Sequence, residues 1–367
     1  MIVLHVAPIR WQEIGGLAVS IPALVAAQNS IDGVHAALAI STVDAGEPPE
    51  AGLPTFHGKI RLGRGGRLSL PDPFDRPDVV VFHSTYIPEH ARLAARLRKA
   101  GIPYIICPRG GMTHYAQAYR SWKKKLANLF FFDRMVSRAA AVHYLSQGEA
   151  EVSRGWNRPK FVVGNGASIP PPAELATPGQ SGQLRLVFIG RLHVQYKGLD
   201  MLLEACHDVR PELQRARALV ELYGPDWRGS ARLLAERITG LHLEDLVRLH
   251  GPVVDRVKAS VLHHADVFLH PSRSEGHPMA VLEALAYGVP CLLTPVTNMA
   301  EEVAAAGAGW SVEPSPNGIA DGLRQVLAAG RLPLQQAGAF ARRLAAERYG
   351  WETVAAQSLQ AYRRWAA

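Results

Sequence analysis

Cysteine is scarce in this chain: Cys107, Cys206 and Cys291 stand alone among 367 residues. No CxxC pair and no Cys/His ligand spacing results, which excludes a disulfide framework and a zinc ribbon and favours a reducing, cytoplasmic compartment. No apolar run approaches the eighteen or more residues of a membrane span. The opening MIVLHVAPIR is too short for a secretory signal, whose charged segment would also come first. The sequence has no D-x-D or similar carboxylate pair to hold a divalent ion, so no metal is expected. It also lacks a G-x-G-x-x-G fingerprint, which argues against a nicotinamide enzyme.

What is present is ordinary globular material, with 48% hydrophobic and 20% charged residues, a balance that supports a folded core rather than disorder. Length allows two domains. The net charge of +8 is unevenly spread. Residues 1–168 hold 20 Lys/Arg against 12 Asp/Glu, whereas residues 169–367 hold 20 against 20. The whole excess lies in the first part, which points to an anionic partner there: nucleic acid, an acidic membrane surface or a phosphorylated substrate. An arginine-rich codon bias gives the same excess without any partner. No aromatic-studded basic strand or known module supports nucleic acid, so none is expected.

Short apolar runs alternate with amphipathic stretches, the pattern of parallel α/β folds. Residues 2–6, 34–40, 79–83, 104–107 and 141–145 read as strands, and 87–99 as a helix. Residues 44–77, rich in Gly, Pro and Arg, read as loops. GNGASIPPPAELATPGQSGQ, residues 164–183, reads as an interdomain linker. The pattern then restarts, with strands at 184–189, 219–223, 247–250, 267–269 and 290–293. Helices are expected at 199–208, 231–237, 256–263 and 279–287. Two doubly wound domains in tandem place a ligand cleft at the carboxyl ends of their strands. Residues 332–365 read as helical, with Leu344, Tyr349, Trp351, Val354 and Tyr362 supplying apolar surface.

The most informative segment is HPSRSEGHPMAVLEALAYGVPCLLT, residues 270–294. Pro278 suits the first turn of a helix, where its missing N–H costs nothing. Glu275 then lies in the preceding loop and Glu283 a turn and a half inside the helix. The backbone of Gly276, His277 and Met279 forms a helix start, with its positive dipole end and unpaired N–H groups. The two carboxylates suit hydroxyl donors such as those of a sugar and a ribose. In FIGRLHVQYKGLD, Arg191 and Lys197 follow a strand and precede a helix. A guanidinium fork and a mobile ammonium suit a diphosphate, and together they replace a metal beside a departing nucleoside diphosphate. In the first loop, Gly15 and Gly16 permit close backbone approach to a phosphate or sugar. For each of these the plainer reading is a solvated charge or a tight turn. His83 at a strand end is as well explained by packing as by a site.

GRL…KGLD followed by SEGHPMAVLEALAYGVP resembles the family 4 retaining glycosyltransferases of GT-B fold, particularly enzymes of polysaccharide assembly. PRGGMTHYAQAYRSWKKK resembles a P-R-G-M…W-K-K stretch of a bacterial exopolysaccharide subgroup. The resemblance implies a GT-B fold, two Rossmann-like domains facing a central cleft with a C-terminal helix. It implies an acceptor domain at 1–168, a nucleotide-sugar donor domain at 169–345, and a terminal helix at 346–367 packing back near the first. It implies that Glu275 contacts the donor sugar, Glu283 the ribose, Arg191 and Lys197 the diphosphate, and Gly16 the donor from the first domain. Asn165 joins the donor-binding set with Gly15, Gly276, His277, Pro278 and Met279. Many members carry a histidine after the strand at 104–107. Here that slot holds Arg109, so His83, Arg109 and His114 are the candidates to face the reacting carbon.

Residues 121–138 offer an apolar face (Trp122, Leu126, Leu129, Phe130, Val136) beside the cluster Lys123, Lys124 and Lys125. The face reads as packing on the first domain; with His114 the lysines are acceptor-side candidates and permit peripheral contact with an anionic membrane. The expected activity is retaining, metal-independent, cofactor-free hexosyl transfer. The donor is UDP- or GDP-linked, and the acceptor a saccharide, phosphorylated or lipid-linked. The alternatives are a nucleotide-sugar epimerase or hydrolase of the same fold, and a catalytically silent sugar-nucleotide binding subunit.

Overall fold

Seven strands build the first sheet: β1 (Ile2–Ala7), β2 (His35–Ile40), β3 (Thr55–His57), β4 (Val79–His83), β5 (Tyr104–Cys107), β6 (Ala141–Tyr144) and β7 (Lys160–Val162). The computed structural model describes residues 1–11, 16–42, 45–46, 52–113, 132–153, 157–172 and 182–366. All pairings are parallel and the order is β3-β2-β1-β4-β5-β6-β7. Parallel neighbours need crossovers, and helices on both faces explain why the inner strands β1, β2, β4, β5 and β6 are buried almost end to end rather than alternating, while the edge strands β3 and β7 are not. One face packs Leu4, Val6, Phe82 and Ile106 against Leu93 and Leu97 of the helix Pro88–Lys99. The other packs Val3, Leu38 and Val81 against Ile21 and Val25 of the helix Gly16–Asn29.

The second sheet contains β8 (Leu184–Ile189), β9 (Ala218–Tyr223), β10 (Val247–His250), β11 (Val267–His270), β12 (Cys291–Leu293) and β13 (Gly309–Ser311). It too is parallel, in the order β10-β9-β8-β11-β12-β13. In each sheet the first strand is central and the strand order reverses beside it, between β1 and β4 and between β8 and β11. Ligands of open α/β sheets bind at the carboxyl ends of strands flanking such a reversal.

The chain forms two compact units, 1–166 with 351–367, and 167–350. The expected boundaries at 168 and 345 thus shift by a few residues. Ala167 N–H donates to the Tyr349 carbonyl at 2.7 Å, which ties both residues into the second unit. The last helix, Trp351–Arg363, buries Leu359 and Tyr362 in the first unit's core. A Cβ on Gly166 would stand 2.5 Å from the Trp351 ring, so only glycine fits beneath that indole.

The described part of residues 44–77 has the little regular structure expected, β3 and a bridge between Leu62 and Leu68, with Leu68 and Phe74 buried in the core. Two other expectations need correction. The start of the expected linker is packed, with Asn165 and Ala167 buried, while 173–181 lie outside the described residues. Pro278 is the N-cap residue, extended at φ −74 and ψ 117, and the helix begins at Met279. Among the described residues, no helix is long and apolar enough to cross a membrane.

Candidate functional site

In the second unit, β8 and β11 deliver two loops to the sheet's carboxyl edge. The turn 194–198 ends in Gly198 at φ 65, where an added Cβ would meet the Pro271 carbonyl at 2.0 Å. Only glycine permits that approach. It lets the Arg273 N–H donate to the Tyr196 carbonyl at 3.0 Å. Arg273 also binds Asp200 through two parallel bonds of 2.6 and 2.9 Å, the fork geometry of a strong pair. The motif KGLD therefore stitches the two loops together.

That stitching seats Lys197 on Glu275. Oε1 of Glu275 receives the Lys197 ammonium, His270 Nε2 at 2.9 Å and Ser272 Oγ at 3.0 Å. None of these three donors is on Oε2. Burial alone would raise the Glu275 pKa, but the Lys197 charge and the His270 contact outweigh it and hold the carboxylate well below its usual range. Burial, then the Lys197 charge, lowers the His270 pKa, so the ring is neutral and donates its one N–H, on Nε2, to the carboxylate. Its Nδ1 is buried without a hydrogen-bond partner. Asn298, at φ 59, donates through Nδ2 to the carbonyls of Glu275 (2.9 Å) and Gly276 (3.0 Å) and fixes the loop from below.

Glu283, the fifth residue of the helix Met279–Ala286, accepts from Lys258 Nζ at 2.7 Å. Each of the two expected carboxylates thus has its own lysine. Arg191 is held differently: its guanidinium lies over the Trp227 ring, 4.6 Å from the centroid. Trp227 is carried on a loop that Asp226 locks by accepting from Gly229 N–H (2.8 Å) and Ala231 N–H (2.7 Å). Arg191 and Lys197, read as one diphosphate pair, therefore rest on separate partners. His277 is buried, with its ring 5.5 Å from that of Tyr349.

Asn165, read as donor-binding, belongs to the first unit and accepts from Arg109 Nη1 at 3.1 Å. Arg109 sits at φ 51, a conformation few side chains adopt. Its loop is built for it. The buried Glu149 accepts from Gly110 N–H (2.5 Å) and Leu145 N–H (2.8 Å), and Ser146 caps the Glu149 N–H at 3.0 Å. Burial pushes the Glu149 pKa up, against those two hydrogen bonds and the Arg109 charge. Arg109 Nη1 also donates to Ser20 Oγ at 3.0 Å, and Nε to His83 Nδ1 at 3.1 Å. His83 and Arg109, two of the three candidates for the reacting centre, are thus in direct contact.

Gly16 opens the helix Gly16–Asn29, whereas Gly15, His114, Lys123, Lys124 and Lys125 lie outside the described residues. Reading the sequence missed Ser272, His270, Asn298, Trp227, Lys258, His5, Gln28 and Glu149. Of these Glu149 and Ser272 had a local signal, the S-x-x-E spacings Ser146–Glu149 and Ser272–Glu275.

Two parallel doubly wound units, each with charged side chains at the carboxyl edge beside its strand reversal, define a GT-B fold. Residues 15–166 match the family described as glycosyl transferase 4-like domain, and residues 183–329 that described as glycosyl transferases group 1. The chain belongs to the family 4 glycosyltransferases of GT-B fold. It is 34% identical over 152 residues to the putative colanic acid biosynthesis glycosyltransferase WcaL of Escherichia coli K12, covering 40% of this chain and 36% of that one. It is 30% identical over 224 residues to the D-inositol 3-phosphate glycosyltransferase of Kineococcus radiotolerans, covering 53% and 51%. The chain therefore spans about a third to a half of the length of these curated relatives. Among solved structures, the sucrose-phosphate synthase of Thermosynechococcus elongatus superposes with a TM-score of 0.76 at 16% identity, over 99% of both chains. HepE of Anabaena in complex with UDP and glucose gives 0.72 at 17% identity, over 99% of this chain and 100% of that one. At such identity these two likenesses speak for the fold.

Proposed function

We propose that this chain is a retaining, metal-independent hexosyltransferase that moves a sugar from a UDP- or GDP-sugar to a saccharide, phosphorylated or lipid-linked acceptor in polysaccharide or glycolipid assembly. The observation that carries the reading is the convergence of Lys197, His270 and Ser272 on Oε1 of Glu275, at the carboxyl end of β11. A carboxylate held ionised in this way does not serve as a general acid. It presents Oε2 as a hydrogen-bond acceptor for a hydroxyl of the transferred sugar. Glu283, steadied by Lys258, does the same for the ribose.

Lys197 uses one of its three N–H groups on Glu275 and keeps the others for the departing diphosphate. Stacking on Trp227 occupies one face of the Arg191 guanidinium and leaves its N–H edge for the same oxygens. Each charge-assisted bond contributes roughly 1.5–3 kcal/mol, and charge that develops only as the bond to the sugar breaks makes such contacts catalytic. Retention follows from a front-face displacement in which the leaving phosphate takes the acceptor proton, and neither glutamate acts as nucleophile. The positive excess of residues 1–168 supports an acceptor carrying phosphate. HepE, solved with UDP and glucose, supports the UDP branch of the donor reading, and WcaL the polysaccharide setting.

The test is a thermal-shift series with UDP, GDP, ADP and their sugar conjugates, in chelator and without metal, followed by transfer to sugar, sugar-phosphate and lipid-phosphate acceptors. A shift of several degrees with UDP or GDP, then metal-free product with unchanged anomeric configuration, is expected. Donor breakdown without acceptor would convert the reading to a hydrolase; binding without any turnover would reduce it to a silent subunit.

A further inference from the structure

The first unit buries a hydrogen-bonded chain that begins at Arg109 and runs in one direction only. Arginine has no acceptor, so its Nε–H must donate to His83 Nδ1, 3.1 Å away. A neutral imidazole has one proton, which therefore sits on His83 Nε2 and points to His5 Nδ1 at 2.8 Å. His5 in turn carries its proton on Nε2 and donates to Gln28 Oε1 at 2.8 Å. The Gln28 amide then donates to Ser358 Oγ at 2.9 Å, and Ser358 donates to the Ala355 carbonyl at 2.8 Å. Reversing any link sets two donors face to face at Arg109. His5, Gln28, His83 and Ser358 are all fully buried. Both imidazoles are neutral: burial, against the Gln28 hydrogen bond and helped by the Arg109 charge, lowers the His5 pKa to about 4, and burial followed by the Arg109 charge takes His83 well below its ordinary value.

The acceptors of Arg109 share one property. His83, Ser20 and Asn165 are all uncharged, and no carboxylate oxygen is paired with this guanidinium among the described residues. A directly paired carboxylate would orient an arginine equally well but would cancel most of its charge; neutral acceptors orient it without that pairing, and Glu149, which shares its loop, acts on it only through space. Nε and Nη1 are consumed, and Nη2 takes no part in these bonds. We propose that His83, His5 and Gln28 are positioning residues that hold Arg109 with Nη2 presented to a phosphate oxygen of the substrate, the terminal helix locking the far end of the chain through Ser358. This rests on the transferase reading above. It deepens that reading by giving the first unit a phosphate-binding cation.

Three measurements test it. In 15N-histidine-labelled protein at pH 7, long-range proton–nitrogen correlation should show both His5 and His83 as Nε2–H tautomers. Titration with inorganic phosphate should move the Arg109 Nε–H signal in the parent protein and leave it unmoved in a folded His83→Leu variant. A proton on Nδ1 of either ring, a charged ring, or an unmoved Arg109 signal in the parent would overturn the proposal, whatever the turnover. In kinetics, His83→Leu should lower kcat at least tenfold with the donor KM within twofold. His83→Asn, whose amide oxygen replaces the Nδ1 acceptor, should recover part of that loss. Within an Arg109→Met background, His83→Leu should cost less than a further twofold. Independent, multiplicative losses would make His83 a mere packing residue and sink the proposal. A parent protein that binds phosphate as described but transfers nothing would instead count against the transferase reading alone.

Discussion

Lys197 and Glu275 form an ion pair between two loops whose origins lie on different strands, β8 and β11, with only 17% and 13% of their side chains exposed. Removing the cation leaves an ionised carboxylate with His270 and Ser272 as its remaining donors. Lys197→Met should therefore destabilise the protein, toward the lower end of the roughly 3–5 kcal/mol of an unpaired buried charge. Adding Glu275→Gln should restore much of that stability while leaving transfer abolished. Urea unfolding of the single and double variants measures both terms, and additive losses would show that the two side chains are not coupled.

Glycine at 198 is a geometric demand of the same junction. An alanine there would need φ near 65 and a Cβ 2.0 Å from the Pro271 carbonyl. Gly198→Ala should cost at least about 2 kcal/mol, by strain and by separating the loops. Because Lys197 and Glu275 then part, donor nucleotide affinity should fall along with stability. A Gly198→Ala protein with parental midpoint and parental nucleotide affinity would contradict the close approach.

Trp227 is expected to prepare Arg191 for an anion. Guanidinium–indole contacts are worth about 0.5–2 kcal/mol, and Trp227→Ala frees Arg191 to sample other rotamers. UDP or GDP binding should weaken by roughly three- to tenfold, and by more in an Arg191→Ala, Lys197→Ala pair. Titration calorimetry without metal reads the difference. Trp227→Phe should sit between alanine and the parent, since a smaller aromatic face retains part of the contact.

The helix start in 270–294 was legible because apolar spacing, Pro278 and a buried strand all point to one register, and Glu283 falls a turn and a half inside as expected. Strands β4, β5, β8 and β10 match their apolar runs residue for residue. Of the four three-residue strands only β12, a fully buried apolar run, was legible; β3, β7 and β13 carry exposed or half-exposed residues and are too short to show a period. The site's internal partners were hidden for another reason. Glu275 meets Lys197 across 78 residues, and Gln28 meets Ser358 across 330. Pairings of that kind are decided by topology, and nothing local announces them. Arg109 shows the limit most clearly: its position after β5 was visible, and so were His83 and Asn165 as candidates, but not that they and Ser20 all meet its guanidinium.

Buried neutral histidines make acid the natural weakness of this fold. Burial lowers the pKa of His5 to about 4 and those of His90 and His143 to about 3, with His83 also well below 6.5. The unfolded chain protonates these rings near pH 6.5 while the folded chain resists, so between those values the unfolded state binds more protons. Stability is then complete above pH 6.5 and falls as pH drops toward 4. By linkage each ring removes about 2 kcal/mol between pH 7 and pH 5. Glu149 opposes this, since its raised pKa favours the folded state as pH falls, but it is one group against these four rings and His270. Thermal midpoints should thus drop steeply from pH 7 to pH 5. His90→Gln, at a ring outside the Arg109 chain, should flatten that slope by up to one proton. A midpoint insensitive to pH over this interval would mean that the histidines are not held neutral, and with it the tautomers inferred for His5 and His83 would fall.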